Sequence, residues 1–324
     1  MTPRLAICLL AAIAALFAGE PRRAEKLILE GHWKRARAIV EPRYREAPDD
    51  PLVNFLLSQI RNAFGDRESP PKLAERAVAL APGVGKFHRQ MAEVAGVMAQ
   101  QSNMFRQLML ARRFQHEIDR ALILDPNDLQ ALRDRMEFYL LAPGVAGGDP
   151  QKARATTIRI ASLDACEGFL AEARLAAFHK ETASIEGLLR KAVAADPASF
   201  RARESLAAYY LAPEHLNLDA AAAQGRDAIS RDPARVLGYS ISAEVLAARE
   251  SWRELDALLD SAEHQVPDDF TPYYRAAVRL LATGRDLPRA RRYLDKYLSQ
   301  DPEGNEPTRA EAQVCLLAAA GRTR

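Results

Sequence analysis

Six histidines are the first side chains to test for chemistry: His32, His88, His116, His179, His215 and His264. Zinc sites hold their ligands at short, fixed spacings, such as two histidines one helical turn apart with a glutamate between them. No His-Glu-x-x-His occurs, and no histidine stands near a cysteine pair. The cysteines Cys166 and Cys315 have no histidine close in sequence, and the Gly-x-Ser-x-Gly turn that exposes a nucleophilic serine is absent. A catalytic reading would need ionisable groups to converge in space, for instance His88, Glu93 and His116. The chain is therefore expected to be no enzyme, with no cofactor and no metal.

The charged side chains suit recognition better than catalysis. Arg89/Glu93 and Arg133/Glu137 stand at i, i+4, and Arg174, Arg201, Glu204 and Glu244 add further arginines and glutamates. Such pairs are either solvated neighbours worth a few tenths of a kcal/mol or forks for the carboxylates of a bound peptide. Gly144, Gly147 and Gly148 precede Asp149-Pro150. They make no phosphate cradle, because no Gly-Lys-Ser/Thr follows and no strand precedes them. Asp149 as N-cap and Pro150 at the first helical position instead mark a helix start after a long turn.

Composition sets the class. The 324 residues carry 45 Lys+Arg against 43 Asp+Glu, a balance of +2, so no nucleic-acid partner is expected. Glycine numbers 16, aromatics make up 7%, and alanine abounds, which favours helix. Residues 1–19 read as a signal peptide: Arg4 gives a positive start, Leu5–Ala18 is an uncharged run, and Ala18-Gly19 offers a cleavage site. The run is too short to span a bilayer. Export to the periplasm or cell envelope is the expectation, with membrane contact only through this segment if it stays uncleaved. Cys166 and Cys315 are expected as unpaired, buried apolar thiols.

Self-similarity organises the rest. ERAVALAP (75–82), DRALILDP (119–126), RKAVAADP (190–197), GRDAISRDP (225–233), DSAEHQVP (260–267) and DKYLSQDP (295–302) are one helix-closing pattern. With degenerate copies near 48 and 165, closings fall at 48, 82, 126, 165, 197, 233, 267 and 302, mostly 32–36 residues apart. Proline closes each helix because it disfavours the α conformation in the preceding residue. Two helices fit between successive closings, for example Val236–Ala248 then Arg253–Gln265. The longest unit, 83–126, has extra residues that lengthen either its helices or its turn.

With these residues in hand, the chain resembles the tetratricopeptide repeat family, whose unit is a helix–turn–helix of 34 residues. The resemblance rests on small residues midway along the first helix (Ser58, Ala92, Ala173, Ala207, Ala243, Ala277) and near the start of the second (Ala36, Ala153, Ala221, Ala290). It rests also on those near the second helix's end (Ala77, Ala121, Ala192, Ala228, Ala262). It implies an all-α, right-handed α-solenoid of about eight repeats over 20–324, read as one continuous domain, with a capping helix at 309–320. Pro143, Gly147, Gly148, Asp149 and Ala153 also resemble a turn in periplasmic tetratricopeptide proteins associated with TRAP-type transporters.

In this family the first helix of each pair lines the concave side. That implies a groove presenting Arg89, Glu93, Arg133, Glu137, Arg174, Arg201, Glu204, Glu244 and Tyr274 to a protein or peptide partner. The carboxylate-clamp pattern of Lys and Asn is not matched. An exported interaction scaffold is the leading reading. The alternative is a transporter accessory holding a small hydrophobic solute between helices, in a pocket near 91–145. Met91, Met98, Met104, Met109 and Met136 cluster in the irregular third and fourth units and are expected mainly to fill core there.

Overall fold

Asp-Pro ends helices here by a mechanism that repeats almost degree for degree. Asp125, Asp196 and Asp232 each follow the last helical residue at φ −134° to −149° and ψ 92–93°, the extended region that a following proline enforces. Each aspartate then accepts a hydrogen bond from the backbone N–H two residues on: Asn127 at 3.1 Å, Ala198 at 2.9 Å and Ala234 at 3.0 Å. The carboxylate thereby builds the turn that the proline has started. Where Ala165 replaces proline, no such turn forms. Asp164 alone separates two helices and caps the second through the Glu167 N–H at 2.8 Å.

The computed structural model describes residues 19–321, and these contain helices and turns with no strand. The expected signal peptide lies outside the described residues, apart from Gly19. Contacts group the helices into two compact units that divide after Asp149. The first holds α1 (19–29), α2 (Trp33–Glu46), α3 (Pro51–Ala63), α4 (Ser69–Leu80), α5 (Gly85–Gln100), α6 (Met104–Leu124) and α7 (Leu129–Leu141). The second holds α8 (Pro150–Leu163), α9 (Ala165–His179), α10 (Thr182–Ala195), α11 (Phe200–Leu211) and α12 (Leu218–Arg231). It continues with α13 (Leu237–Ala248), α14 (Trp252–Gln265), α15 (Thr271–Thr283), α16 (Leu287–Leu298) and α17 (Arg309–Gly321).

Each unit has the two-layer build of an α-solenoid, with sequential helices packed as antiparallel neighbours. The small-residue register holds throughout. Ser58, Ala92, Ala207, Ala243 and Ala277 on first helices are buried, as are Ala77, Ala121, Ala192, Ala228 and Ala262 on second helices. Alanine at these positions lets the helix axes approach closely. The approach is close between α12 and α13, where a Cβ on Gly238 would stand 2.9 Å from the Gly225 carbonyl oxygen and 2.7 Å from the Ile229 nitrogen.

The extra residues of the third repeat go into its helices: α5 has 16 residues and α6 has 21. Those of the fourth go into its turn. A short 3-10 segment at Gly144–Ala146 is followed by Gly147 at φ 103°, and the Asp149 N–H returns to the Tyr139 carbonyl at 2.9 Å. Gly148 lies so close to the Ala142 carbonyl that no side chain fits.

The methionines divide. Met91 and Met136 are core residues, whereas Met104 and Met109 are 76% and 70% exposed, so core filling accounts for only part of the group. Cys166 is buried and Cys315 half-buried, and both are free thiols.

Candidate functional site

Within each unit the odd-numbered helices touch one another across repeats: α3 with α5, α5 with α7, α9 with α11, α11 with α13, α13 with α15 and α15 with α17. Among the described residues the even-numbered helices stand farther apart and reach one another only through long side chains, as Arg113 of α6 does to Glu75 of α4 and Lys296 of α16 to Glu263 of α14. The layer whose members lie closer together is the inner side of a curved stack, so the odd helices line it.

In the first unit this inner layer carries a compact charged cluster. Arg89, 7% exposed on α5, donates through Nε to Asp128 Oδ2 at 3.2 Å. Asp128 caps α7 with its other oxygen, accepting from Gln130 and Ala131 N–H at 3.0 Å each. Arg89 therefore ties one repeat to the cap of the next, and it bonds Asp128 in place of its helical neighbour Glu93. Glu93 instead accepts from Asn62 Nδ2 on α3 at 3.3 Å.

Burial pushes the Glu93 carboxyl up, with Arg89 and Asn62 pulling the other way. Asp134, on α7, is pushed up to about 7, chiefly by burial and then by the charge of Glu93, against the opposing pull of Arg89 and Arg133. Its Oδ2 is buried without a hydrogen-bond partner, as is Nη1 of Arg89. Two buried carboxyls, Glu93 and Asp134, thus stand close enough to raise one another's cost of ionising. Arg133 and Glu137 flank the cluster, half-buried, and neither is without a partner.

The second unit uses its predicted arginines differently. Arg201 on α11 is exposed and paired with Glu167 on α9, and Arg174 is half-buried with a partner of its own. Glu244 on α13 is held by Arg279 of α15 at 2.6 Å, and Arg279 also donates to the Leu211 carbonyl of α11 at 2.8 Å. Glu204 remains exposed.

Tyr274 is half-buried, its ring 5.1 Å from that of Tyr297 and its hydroxyl 3.8 Å from Cys315 Sγ. Burial and the Cys315 contact push its hydroxyl up to about 12. Tyr274 lines an open pocket of about 550 Å³ with Arg275, Asn305, Glu306, Glu311 and Cys315. Glu306, 3.7 Å from Arg275, is pushed up to about 7 by burial and by Asp269.

The expected fork of free arginines is thus not what these positions offer: Arg89, through Nε, and Arg201 are engaged by carboxylates of the chain itself. Among the acids, Asp134 and Glu306 each keep a buried oxygen with no hydrogen-bond partner. Asp134 escaped sequence reading because Arg133-Asp134-Arg135 reads as an alternating solvated run. Glu306 escaped because it lies in a loop before the capping helix. The caps were the one available signal, since Asp128 opens α7 in the same Asp-Pro-x-Asp stretch that closes α6.

A catalytic convergence of His88, Glu93 and His116 does not occur. His88 is buried with Nδ1 2.7 Å from Glu117 Oε2 and Nε2 3.0 Å from the Pro82 carbonyl, while His116 is exposed. Among the described residues no group of three or more His, Cys, Asp or Glu is arranged to hold a metal ion. Between α5, α6 and α7, where a solute pocket was the alternative, Met91, Phe114, Ile118, Leu132 and Met136 are buried. Phe114 there stacks on Phe138 at 5.0 Å, as in a side-chain core.

No protein-family model and no curated protein matches the chain in sequence. Solved structures do match in fold. The chain is similar to yeast Tom70 with a TM-score of 0.57 and 16% identity, over 91% of this chain and 59% of that one. It is also similar to a thermophilic tetratricopeptide protein of Thermus thermophilus, TTC0263, with a TM-score of 0.41 and 19% identity over 71% of this chain and 98% of that one. A tetratricopeptide repeat protein from Parabacteroides merdae gives 0.43 and 13% over 94% and 98%. The chain spans 59% of the length of the Tom70 chain. At such identities the likeness is one of fold.

Proposed function

We propose that this tetratricopeptide-fold α-solenoid is a protein-interaction scaffold, exported to the cell envelope, whose first unit takes a basic peptide segment along its inner face. One observation carries the reading: the unpartnered, buried Oδ2 of Asp134 stands beside Glu93, while the Nε of Arg89 is already given to Asp128. A lysine, arginine or amino terminus entering there would favour the ionised Asp134 and form a charge-assisted hydrogen bond with it. A preformed inner face of packed helices limits the ordering cost of binding.

Fluorescence anisotropy with two peptide pools, one lysine-rich and one glutamate-rich, tests this. The lysine-rich pool should bind the full chain, and Asp134→Asn should weaken that binding about 10- to 100-fold. Equal binding of both pools, or no effect of the substitution, would sink the basic-segment reading. Export rests on Arg4 and the apolar run to Ala18. Fractionation of the tagged full-length protein into cytoplasmic and envelope pools decides it, and retention in the cytoplasm would overturn it. The scaffold reading assigns no chemical step to the chain.

A further inference from the structure

Helix α6 is apolar on two opposite sides. At 100° per residue, Phe114, Ile118 and Ala121 fall on one side and are buried against α5 and α7. Met104, Phe105, Leu108 and Met109 fall on the other, and Arg112 continues their stripe. Met104 is 76% exposed, Phe105 81% and Met109 70%. This second face occupies the first turns of a helix seven residues longer than α8, so it belongs to the part that the repeat pattern does not require.

Charge accompanies the exposed face. From Val94 to His116 there is no acidic residue, and the charges present are Arg106, Arg112 and Arg113. Arg113 is engaged by Glu75 at 3.1 Å, whereas Arg106 and Arg112 are exposed and make no ion pair among the described residues.

We infer that this face rests on an anionic lipid surface, with Met104, Phe105 and Met109 at the headgroup–acyl boundary and Arg106 and Arg112 on lipid phosphates. Apolar side chains with one arginine, Arg112, in their stripe and another, Arg106, at its flank fit the pattern of interfacial membrane helices. Shape argues the same way. Side chains exposed to this degree are knobs with no groove wall beside them, and a fluid surface can envelop a knob. A second copy of the chain would set arginine against arginine with no acid in the patch to offset them. Among the described residues no helix is long and apolar enough to cross a membrane, so the contact lies on the surface.

The test uses the full chain carrying Phe105→Trp, mixed with vesicles whose acyl chains are brominated. Phosphatidylcholine vesicles containing phosphatidylglycerol should quench the introduced tryptophan beyond the quenching of Trp33 and Trp252 in the parent. Pure phosphatidylcholine should not. Adding Arg106→Gln and Arg112→Gln should weaken the interaction about 30-fold. No added quenching on the mixed vesicles, or equal quenching on pure phosphatidylcholine, overturns the proposal. So does self-association in sedimentation velocity that Phe105→Ser abolishes, since the face would then be an interface between copies.

Discussion

Arg279 donates to the carbonyl oxygen of Leu211, 68 positions earlier, at 2.8 Å, and the same nitrogen reaches Glu244 at 2.6 Å. One guanidinium therefore joins α11, α13 and α15, three successive inner helices of the second unit. Arg279→Ala should cost about 2–3 kcal/mol, because it leaves a half-buried Glu244 and a helix-end carbonyl without their donor. Arg279→Lys keeps the charge but loses the planar reach to two acceptors, so its loss should be smaller. Urea unfolding midpoints of the three proteins would check the order; an alanine variant as stable as wild type contradicts it.

Asp134 should make stability depend on pH in an unusual direction. Its folded-state pKa, about 7, lies above the ordinary carboxylate value, so the folded chain binds the proton more tightly than the unfolded chain. The contribution is fully present below about pH 4 and is lost as pH rises through about 7. Asp134→Asn should therefore gain about 2 kcal/mol at pH 8 and little at pH 4, flattening the profile. Glu306, also raised to about 7, should leave a residual slope of the same sign. Thermal unfolding across the acid-to-neutral range gives the comparison.

His88 and Glu117 form a buried pair, 6% and 9% exposed, in which both histidine nitrogens face oxygen acceptors. His88→Leu strands the carboxylate with only Arg113 near it, at 3.9 Å, and should cost about 3 kcal/mol. Replacing both residues by leucine and methionine should restore much of that loss, since no lone buried charge remains. A double variant no better than the single one would mean that packing, and not charge, dominates the site.

Two glycines should respond with opposite sign. Gly238→Ala drives a methyl into the backbone of α12 and should destabilise by about 2 kcal/mol or more. Gly187, on an exposed stretch of α10, has open space around it, so Gly187→Ala should stabilise by about 0.5–1 kcal/mol. Calorimetric melting of the two variants beside wild type separates close helix packing from helix propensity.

The amino-acid sequence by itself determined where most second helices end and the repeat register, because both are local. Proline restricts one residue, aspartate bonds two positions along, and alanine recurs at a helical period, all within a few peptide units. The second helix of each repeat, the turn in the fourth and the last helix followed from this. What lies between repeats did not. Met91 and Met109 have the same chemistry and similar helical settings, yet one is core and the other surface, because only the neighbouring helices decide which side is covered. Arg89 faces Asp128 and not Glu93, and Asp134 has a buried oxygen with no donor, for the same reason. Burial and charge balance are sums over atoms brought together from distant positions, so the fold could be read from local text, whereas the inner face and the exposed stripe of α6 required the tertiary structure.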